Sequence, residues 1–497
     1  MAATVGVAAG AGAATWALSG CAPAAEEKAG GAGGALTVEE DGSGIVTLNV
    51  ADEQVVVIDE FEELPASDIV TEIAHWELPM GTLVYQASRE KALVLLPVDE
   101  GRELRSIGLL DVSSGGIETI LEQAVGADEG AIIYDARASD EALIWVECRL
   151  ATLDWQVYVA AIGGATAEGS ANRGAGGGGG DGDDGDDASA TAQGDASATA
   201  QDDATASAQD DATATAQEAP PAPTTTTTPA PTTATGAPIR QVDEGSADYD
   251  PPLLAISGSK AYWTVMPDAN GPANQEDSFL KTVRIALADS ADAPAEEPAT
   301  AYVSHGRMIT NPLANDGILT FVPRVDTDNI YYQLTALRVA DDEIAATSVL
   351  PQALRVVDAI YLGDSFAFGI EGNYNYAGGL AWFGTYQPLP DGRWLRVSRM
   401  PVGAPVKLGS FLLVKSTINV VGIDAAKGTY FVIDVLADCA EYGDVLAGWG
   451  VQDRLLIYTG LPDRGGYGPG VAQLRVFELL PPPTEESPAS PDPSEAS

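Results

Sequence analysis

Hydrophobic and polar positions along the chain alternate in short runs. Segments of four to eight residues rich in Val, Ile, Leu, Tyr, Phe and Trp are broken by Gly, Pro, Asn and Asp, the pattern of strands joined by turns. No stretch sustains a period of 3.6; Ser67–His75 and Ser113–Ala124 come nearest, and both are short. A unit recurs in which an apolar run is followed by a polar loop and a second run. Examples are Ala142–Glu147 with Trp155–Ile162, Lys260–Val265 with Phe279–Leu287, Gly317–Pro323 with Tyr331–Val339, and Arg454–Tyr458 with Ala472–Leu480. Trp155, Val157, Val159 and Ala161 fall on one face of an extended chain. In Tyr331–Val339, Leu334 and Leu337 fall on opposite faces, as in a strand covered on both sides.

First runs begin near residues 83, 142, 260, 317, 364, 411 and 454, at spacings of roughly 40–60 residues once one interruption is set aside. Several strands per unit at that period predict an all-β fold, a β-propeller of about seven blades, six to eight being compatible. A ring of blades also removes exposed sheet edges without helices. Ile45–Ile58 holds two further strand-like runs that could complete the ring with the C-terminal blade. The rival architecture is a pair of β-sandwiches. The run Ala142–Ile162 (ALIWVECRLATLDWQVYVAAI) and its repeats resemble bacterial extracytoplasmic propellers of the Tol-system type across 43–163 and 239–480.

The interruption is residues 164–238. It opens with Gly-rich and Asp-rich sequence, passes through four octads from Asp186 to Gln217 (DDASATAQ and variants), and closes in a Pro/Thr tract from Pro220 to Pro238. Large apolar side chains are scarce in it. Burial therefore cannot offset the entropy of ordering it, and disorder is predicted. Residues 22–42, rich in Ala, Gly and Glu, read as a tether, and 481–497 as a disordered tail.

Residues 2–20 carry no charged side chain and end in Leu18-Ser19-Gly20-Cys21. An apolar run closing on small residues predicts a secretory signal over 1–21. The tetrad resembles the lipobox of bacterial lipoproteins, which implies that Cys21 is acylated and becomes the first mature residue, anchoring the chain to a membrane outside the cytoplasm. A basic n-region is missing. The mild Gly/Ala-rich run resembles twin-arginine export signals, with the arginine pair expected upstream of Met1.

Charge narrows the partners. The 497 residues hold 25 Lys plus Arg against 73 Asp plus Glu, a net charge of −48. Such a chain repels phosphate, which excludes nucleic acid and a basic lipid-docking face. The disordered insert contributes twelve acids and one base, so most of the charge belongs to the rest of the chain. Two histidines, His75 and His305, cannot build a three-histidine zinc site, and three cysteines cannot make a four-thiolate one. No cofactor is expected. In an oxidising compartment Cys148 and Cys439 could pair, or remain buried thiols.

Each candidate for catalysis has a plainer reading. Gly363–Gly369 (GDSFAFG) resembles the nucleophile block of GDSL hydrolases, but no histidine follows His305 to serve as base. Ser88-Arg89-Glu90-Lys91 matches the serine-x-x-lysine of penicillin-binding proteins but lies in a strand–turn–strand pattern. Gly176–Asp183 matches a single calcium nonapeptide, with Asp183 at the apolar position. The richest aromatic segment is Glu371–Trp394. Tyr374, Tyr376, Trp382 and Tyr386 are the candidate ligand-binding residues there, suited to a protein or glycan, with core packing as the alternative. The sequence thus favours a non-catalytic, lipid-anchored binding or scaffold propeller for a protein or envelope polymer. The alternatives are an extracytoplasmic propeller hydrolase or lyase using paired carboxylates, and a structural spacer.

Overall fold

The computed structural model describes residues 39–40, 46–47, 55–79, 81–97, 105–162, 231–287, 296–325, 332–349, 355–371, 384–397, 406–415, 419–434, 444–461 and 471–481. Its sheets form a seven-bladed β-propeller. Within a blade the strands run antiparallel from the hub outward. Blade 1 is Leu83–Gln86, Lys91–Pro97, Arg105–Asp111 and Ile117–Leu121. Blade 2 is Ala131–Ala138, Ala142–Arg149, Asp154–Ala161 and Arg240–Gly245. Blade 3 is Leu254–Ser257, Lys260–Val265, Ser278–Arg284 and Ala299–Ser304. Blade 4 is Leu313–Asn315, Ile318–Phe321, Gln333–Arg338 and Ile344–Val349. Blade 5 is Arg355–Tyr361, Phe366–Glu371, Gly384–Pro388 and Trp394–Val397. Blade 6 is Val406–Leu408, Phe411–Lys415, Asn419–Asp424 and Thr429–Asp434. Blade 7 takes Asp444–Val451, Arg454–Leu461 and Val471–Leu479 from the C-terminal part and Val70–Pro79 from the N-terminal part.

The runs read from sequence as first strands are, in blades 2 to 7, the second strands. The reason is burial. A second strand has a neighbouring blade on each face, so both of its faces must be apolar. In Ala142–Arg149 all residues but the last are buried, and in Phe411–Lys415 all five are. Apolar clusters join every adjacent pair of blades. One spans blades 7, 1 and 2 through Tyr458, Leu93 and Trp145. Others join 2 to 3 through Trp155 and Trp263, 3 to 4 through Tyr262 and Phe321, and 4 to 5 through Leu334 and Phe368. The circle is completed by Leu395 with Leu412 between 5 and 6, and by Phe431 with Leu455 between 6 and 7. Each such large side chain withdrawn from water contributes roughly 1.5–3 kcal/mol.

Ring closure departs from the sequence expectation. Ile45–Ile58 does not complete the C-terminal blade. Val70–Pro79 does, pairing antiparallel with Val471–Leu479 from Val70↔Leu479 to Pro79↔Val471. This outer strand is covered on one face only: Val70 and Leu78 are buried while Thr71, Glu72 and Ile73 are exposed. Its polar residues blurred the alternation and made Ser67–His75 resemble a short helix. The preceding segments add outer strands to other blades. Thr47 pairs in parallel with Val349 of blade 4, Val55–Val57 with Trp394–Arg396 of blade 5, and Glu62–Glu63 with Thr429–Tyr430 of blade 6. The described N-terminal segments therefore lie on the rims of three successive blades, 4, 5 and 6, before Val70–Pro79 completes blade 7.

Because strands alternate in direction, the turns between second and third strands and the crossovers between blades open on one face, the crossover face. The tight first-to-second hairpins open on the other. The described chain breaks at Ile162, after the third strand of blade 2, and resumes at residue 231. The resuming segment is fixed to blade 1: the Ala234 N–H donates to Ile120 O at 2.9 Å, and Thr233 and Ile239 are buried. Residues 1–38, including Cys21, and 163–230 lie outside the described residues. Replacing 166–229 by a short Gly/Ser linker, with 231–239 kept, is expected to shift the melting temperature by no more than a few degrees in a calorimetric scan, since loop length costs little.

Candidate functional site

On the innermost strands of blades 7, 1 and 2, polar and aromatic groups meet. The Arg137 guanidinium lies 4.0 Å over the Tyr85 ring, and its Nη1 donates to Asp135 Oδ1 at 2.5 Å. Tyr85 also meets Trp449 at 6.1 Å between centroids. Asp135 and Arg137 are two residues apart on one strand and share a face, so the pair forms within the strand while the ring contact crosses to the next blade. Burial, and next the Asp135 charge, hold the Tyr85 phenol protonated, far above its usual range. The guanidinium thus meets one carboxylate, the Ala136 carbonyl at 2.7 Å and one ring, and the ring contact ties blade 2 to blade 1.

Asp358, half-buried on the inner strand of blade 5 beside a bulge, is a second site. The surrounding protein pushes its carboxyl up to about 7, and the buried Lys415 ammonium of blade 6 opposes that only in part. On blade 2, Glu147 is almost wholly buried. It accepts from the Val125 N–H at 2.6 Å, the Gly126 N–H at 2.9 Å and the Trp145 Nε1–H at 2.9 Å. Burial raises its pKa against those three donors. Its position clamps the crossover from blade 1 to blade 2.

On the crossover face between blades 2, 3 and 4, Arg307 donates to Asp250 and to the Pro267 carbonyl. Arg324 Nη1 donates to Gln275 Oε1 at 2.7 Å, and His305 Nδ1 lies 3.3 Å from Asp277 Oδ1 in an exposed pair. Among the described residues no group of three or more His, Cys, Asp or Glu is placed to hold a metal ion.

The residues singled out from sequence are dispersed. Tyr374, Tyr376 and Trp382 lie outside the described residues, as does Cys439. Tyr386 is on the third strand of blade 5, buried, its ring stacked on Phe368 at 5.8 Å, so it is a core residue and its ring does not face solvent. Cys148 is a buried free thiol, and burial raises its pKa, which favours the thiol over the thiolate. Ser365 sits on the first hairpin of blade 5 with its hydroxyl on Asp364 at 2.8 Å. Ser88 caps the first hairpin of blade 1, accepting from the Lys91 N–H at 3.1 Å, while Lys91 Nζ reaches Glu118 at 3.2 Å. Both motifs are therefore turns. His75 lies on the outer strand of blade 7 opposite Arg475, not beside a helix. Sequence reasoning missed Asp358 and Glu147. A lone acid inside an otherwise apolar strand was the available signal.

No family model matches the chain, and no curated protein does. Similar solved structures match at low identity. The β-propeller domain of the trilobed protease from Pyrococcus furiosus is 8% identical, over 67% of this chain and 78% of that one, with a TM-score of 0.36. A study of two prolyl endopeptidases gives 8% identity over 76% of this chain and 46% of that one, TM-score 0.38. Oligopeptidase B from Leishmania major gives 8% over 77% and 46%, TM-score 0.35. The chain thus spans less than half the length of these two peptidase chains.

Two substitutions test Asp358 and Glu147. A carboxyl whose folded pKa is raised adds stability at pH below its unfolded value and loses it as pH climbs through the folded one. The Asp358 contribution to stability is therefore expected to fall between about pH 4 and 7, so the advantage of Asp358→Asn over wild type should grow across that range and reach on the order of 2–4 kcal/mol at pH 8 in urea titrations. Glu147→Ala, which strands three donors, is expected to cost roughly 3 kcal/mol at neutral pH by the same method.

Proposed function

We propose that this chain is an extracytoplasmic lipoprotein whose propeller is a non-catalytic binding or scaffold module for a protein or envelope polymer. The observation that carries this reading is the Leu18-Ser19-Gly20-Cys21 tetrad closing an uncharged run of nineteen residues. Two acyl chains on Cys21 would supply stable anchoring, at about 0.8 kcal/mol per buried methylene. The fold supports the binding role in a general way. Seven rigid blades present turns and crossovers on one face, where loops on a fixed scaffold can make contacts. The acid-rich composition keeps such a body off anionic lipid, so attachment falls to the anchor.

Mass spectrometry of the membrane fraction from the native host tests the anchor. The expected result is a mature chain starting at Cys21 with acyl groups on it, and release of Cys21→Ala into the soluble extracytoplasmic fraction. An unmodified soluble chain retaining Met1 would overturn the localisation.

A further inference from the structure

Four turns among the described residues share one form. In each, a residue's N–H closes back on the carbonyl four positions earlier, and the closing residue is left-handed. Gly115 N–H donates to Asp111 O at 2.8 Å, Asp342 to Arg338 O at 2.9 Å, Gly428 to Asp424 O at 3.0 Å, and Leu153 to Arg149 O at 2.7 Å. The φ values are 73°, 58°, 67° and 61°. Glycine and aspartate adopt that backbone readily, and leucine does not. The first three turns lie on the hairpin face. The fourth, the only one with leucine, is the tip of blade 2 on the crossover face.

Strain alone identifies nothing, but the side chain held there is also unprotected. Leu153 is 52% exposed and Leu150, on the same tip, 44%. Tyr249, on the crossover from blade 2 to blade 3, is 39% exposed, and its carbonyl accepts from Trp155 Nε1–H at 3.3 Å, so it adjoins the strand that Leu153 leads into. Three large apolar side chains, two on the tip of blade 2 and one on the crossover that follows it, are thus exposed on the crossover face. Their surroundings are acidic: Asp128, Asp248 and Glu276 are exposed on the same face and Asp268 half-buried. Two cations of this face are already held, Arg149 at the tip by Glu129 and Arg307, on the crossover from blade 3 to blade 4, by Asp250.

We infer that the crossover face of blade 2 is a docking surface for a cationic polypeptide segment carrying aliphatic or aromatic anchors. Leu150, Leu153 and Tyr249 supply the apolar contact and the surrounding acids the charge complement. A second copy of this chain, at net charge −48, is repelled from the same face. The inference rests on the reading of the propeller as a binding module and names the chemistry of its partner; it does not depend on acylation of Cys21.

The test is fluorescence anisotropy on the purified full chain with two labelled probes. One is a sixteen-residue peptide of alternating Lys and Leu, the other an oligolysine of equal charge. Wild type is expected to bind the Lys/Leu peptide at least fivefold more tightly than oligolysine. Leu150→Ser and Leu153→Gly are each expected to weaken that binding fivefold or more. Leu153→Gly removes the side chain and relieves the backbone, so its melting temperature should stay level or rise, which separates lost docking from lost folding. Smaller losses in Leu153→Gly, equal binding of oligolysine, or no binding of the Lys/Leu peptide by wild type would overturn the proposal.

Discussion

The ring closes through one sheet contact between residues about four hundred positions apart. Val70–Pro79 lies against Val471–Leu479, and the blade so formed packs on blade 6 through Phe477 and Leu455 and on blade 1 through Tyr458 and Leu474. Without this outer strand, blade 7 would present the edge of its third strand to solvent, an unpaired ladder of the kind propellers avoid. Formation of the contact fixes the first and last blades relative to each other, and with them the apolar surface that each second strand hides against two neighbours. Local pairing inside the other blades needs only short hairpins. Closure needs both ends of the folded chain.

Several of the cations of this acidic protein join one blade to the next. Arg89, on the first hairpin of blade 1, reaches Asp453 at 2.6 Å and Glu478 at 2.8 Å on blade 7. Lys260 of blade 3, only 7% exposed, bonds Asp342 of blade 4 at 2.5 Å, and the Tyr262 hydroxyl donates to the same carboxylate at 2.8 Å. Arg475 of blade 7 joins Glu72 on the closing strand at 2.6 Å and the Asp434 carbonyl of blade 6 at 2.9 Å. Of these only Lys260 is buried; losing Asp342 would leave its charge stranded, whereas the partly exposed Arg89 and Arg475 pairs contribute less. Many of the other described acids, Asp128, Asp248 and Glu276 among them, are exposed and contribute to a negative surface.

The architecture was legible in the sequence because of the second strands. Their neighbours cover both faces, so Ala142–Arg149 and Lys260–Val265 appear as nearly unbroken apolar runs, and their spacing counts the blades. The closing strand was not legible, because Glu72, His75 and Glu77 interrupt an alternation that serves only one covered face. Tyr386 shows the limit in the other direction. An aromatic among Asn and Gly residues reads as a ligand contact, while the fold stacks it on Phe368 inside blade 5. The exposed tip at Leu150 and Leu153 was hidden altogether, since a leucine carries no sign that its backbone will be left-handed. That feature appears only when the four like turns can be compared.

Amide hydrogen exchange followed through a urea series tests the closed ring most directly. If Val70–Pro79 is the outer strand of blade 7, its inward amides and those of Val471–Leu479 should be protected together and lose protection in one step at the same urea concentration. Free exchange of 70–79 in the absence of urea, with 471–479 still protected, would contradict the closure and the ring built on it.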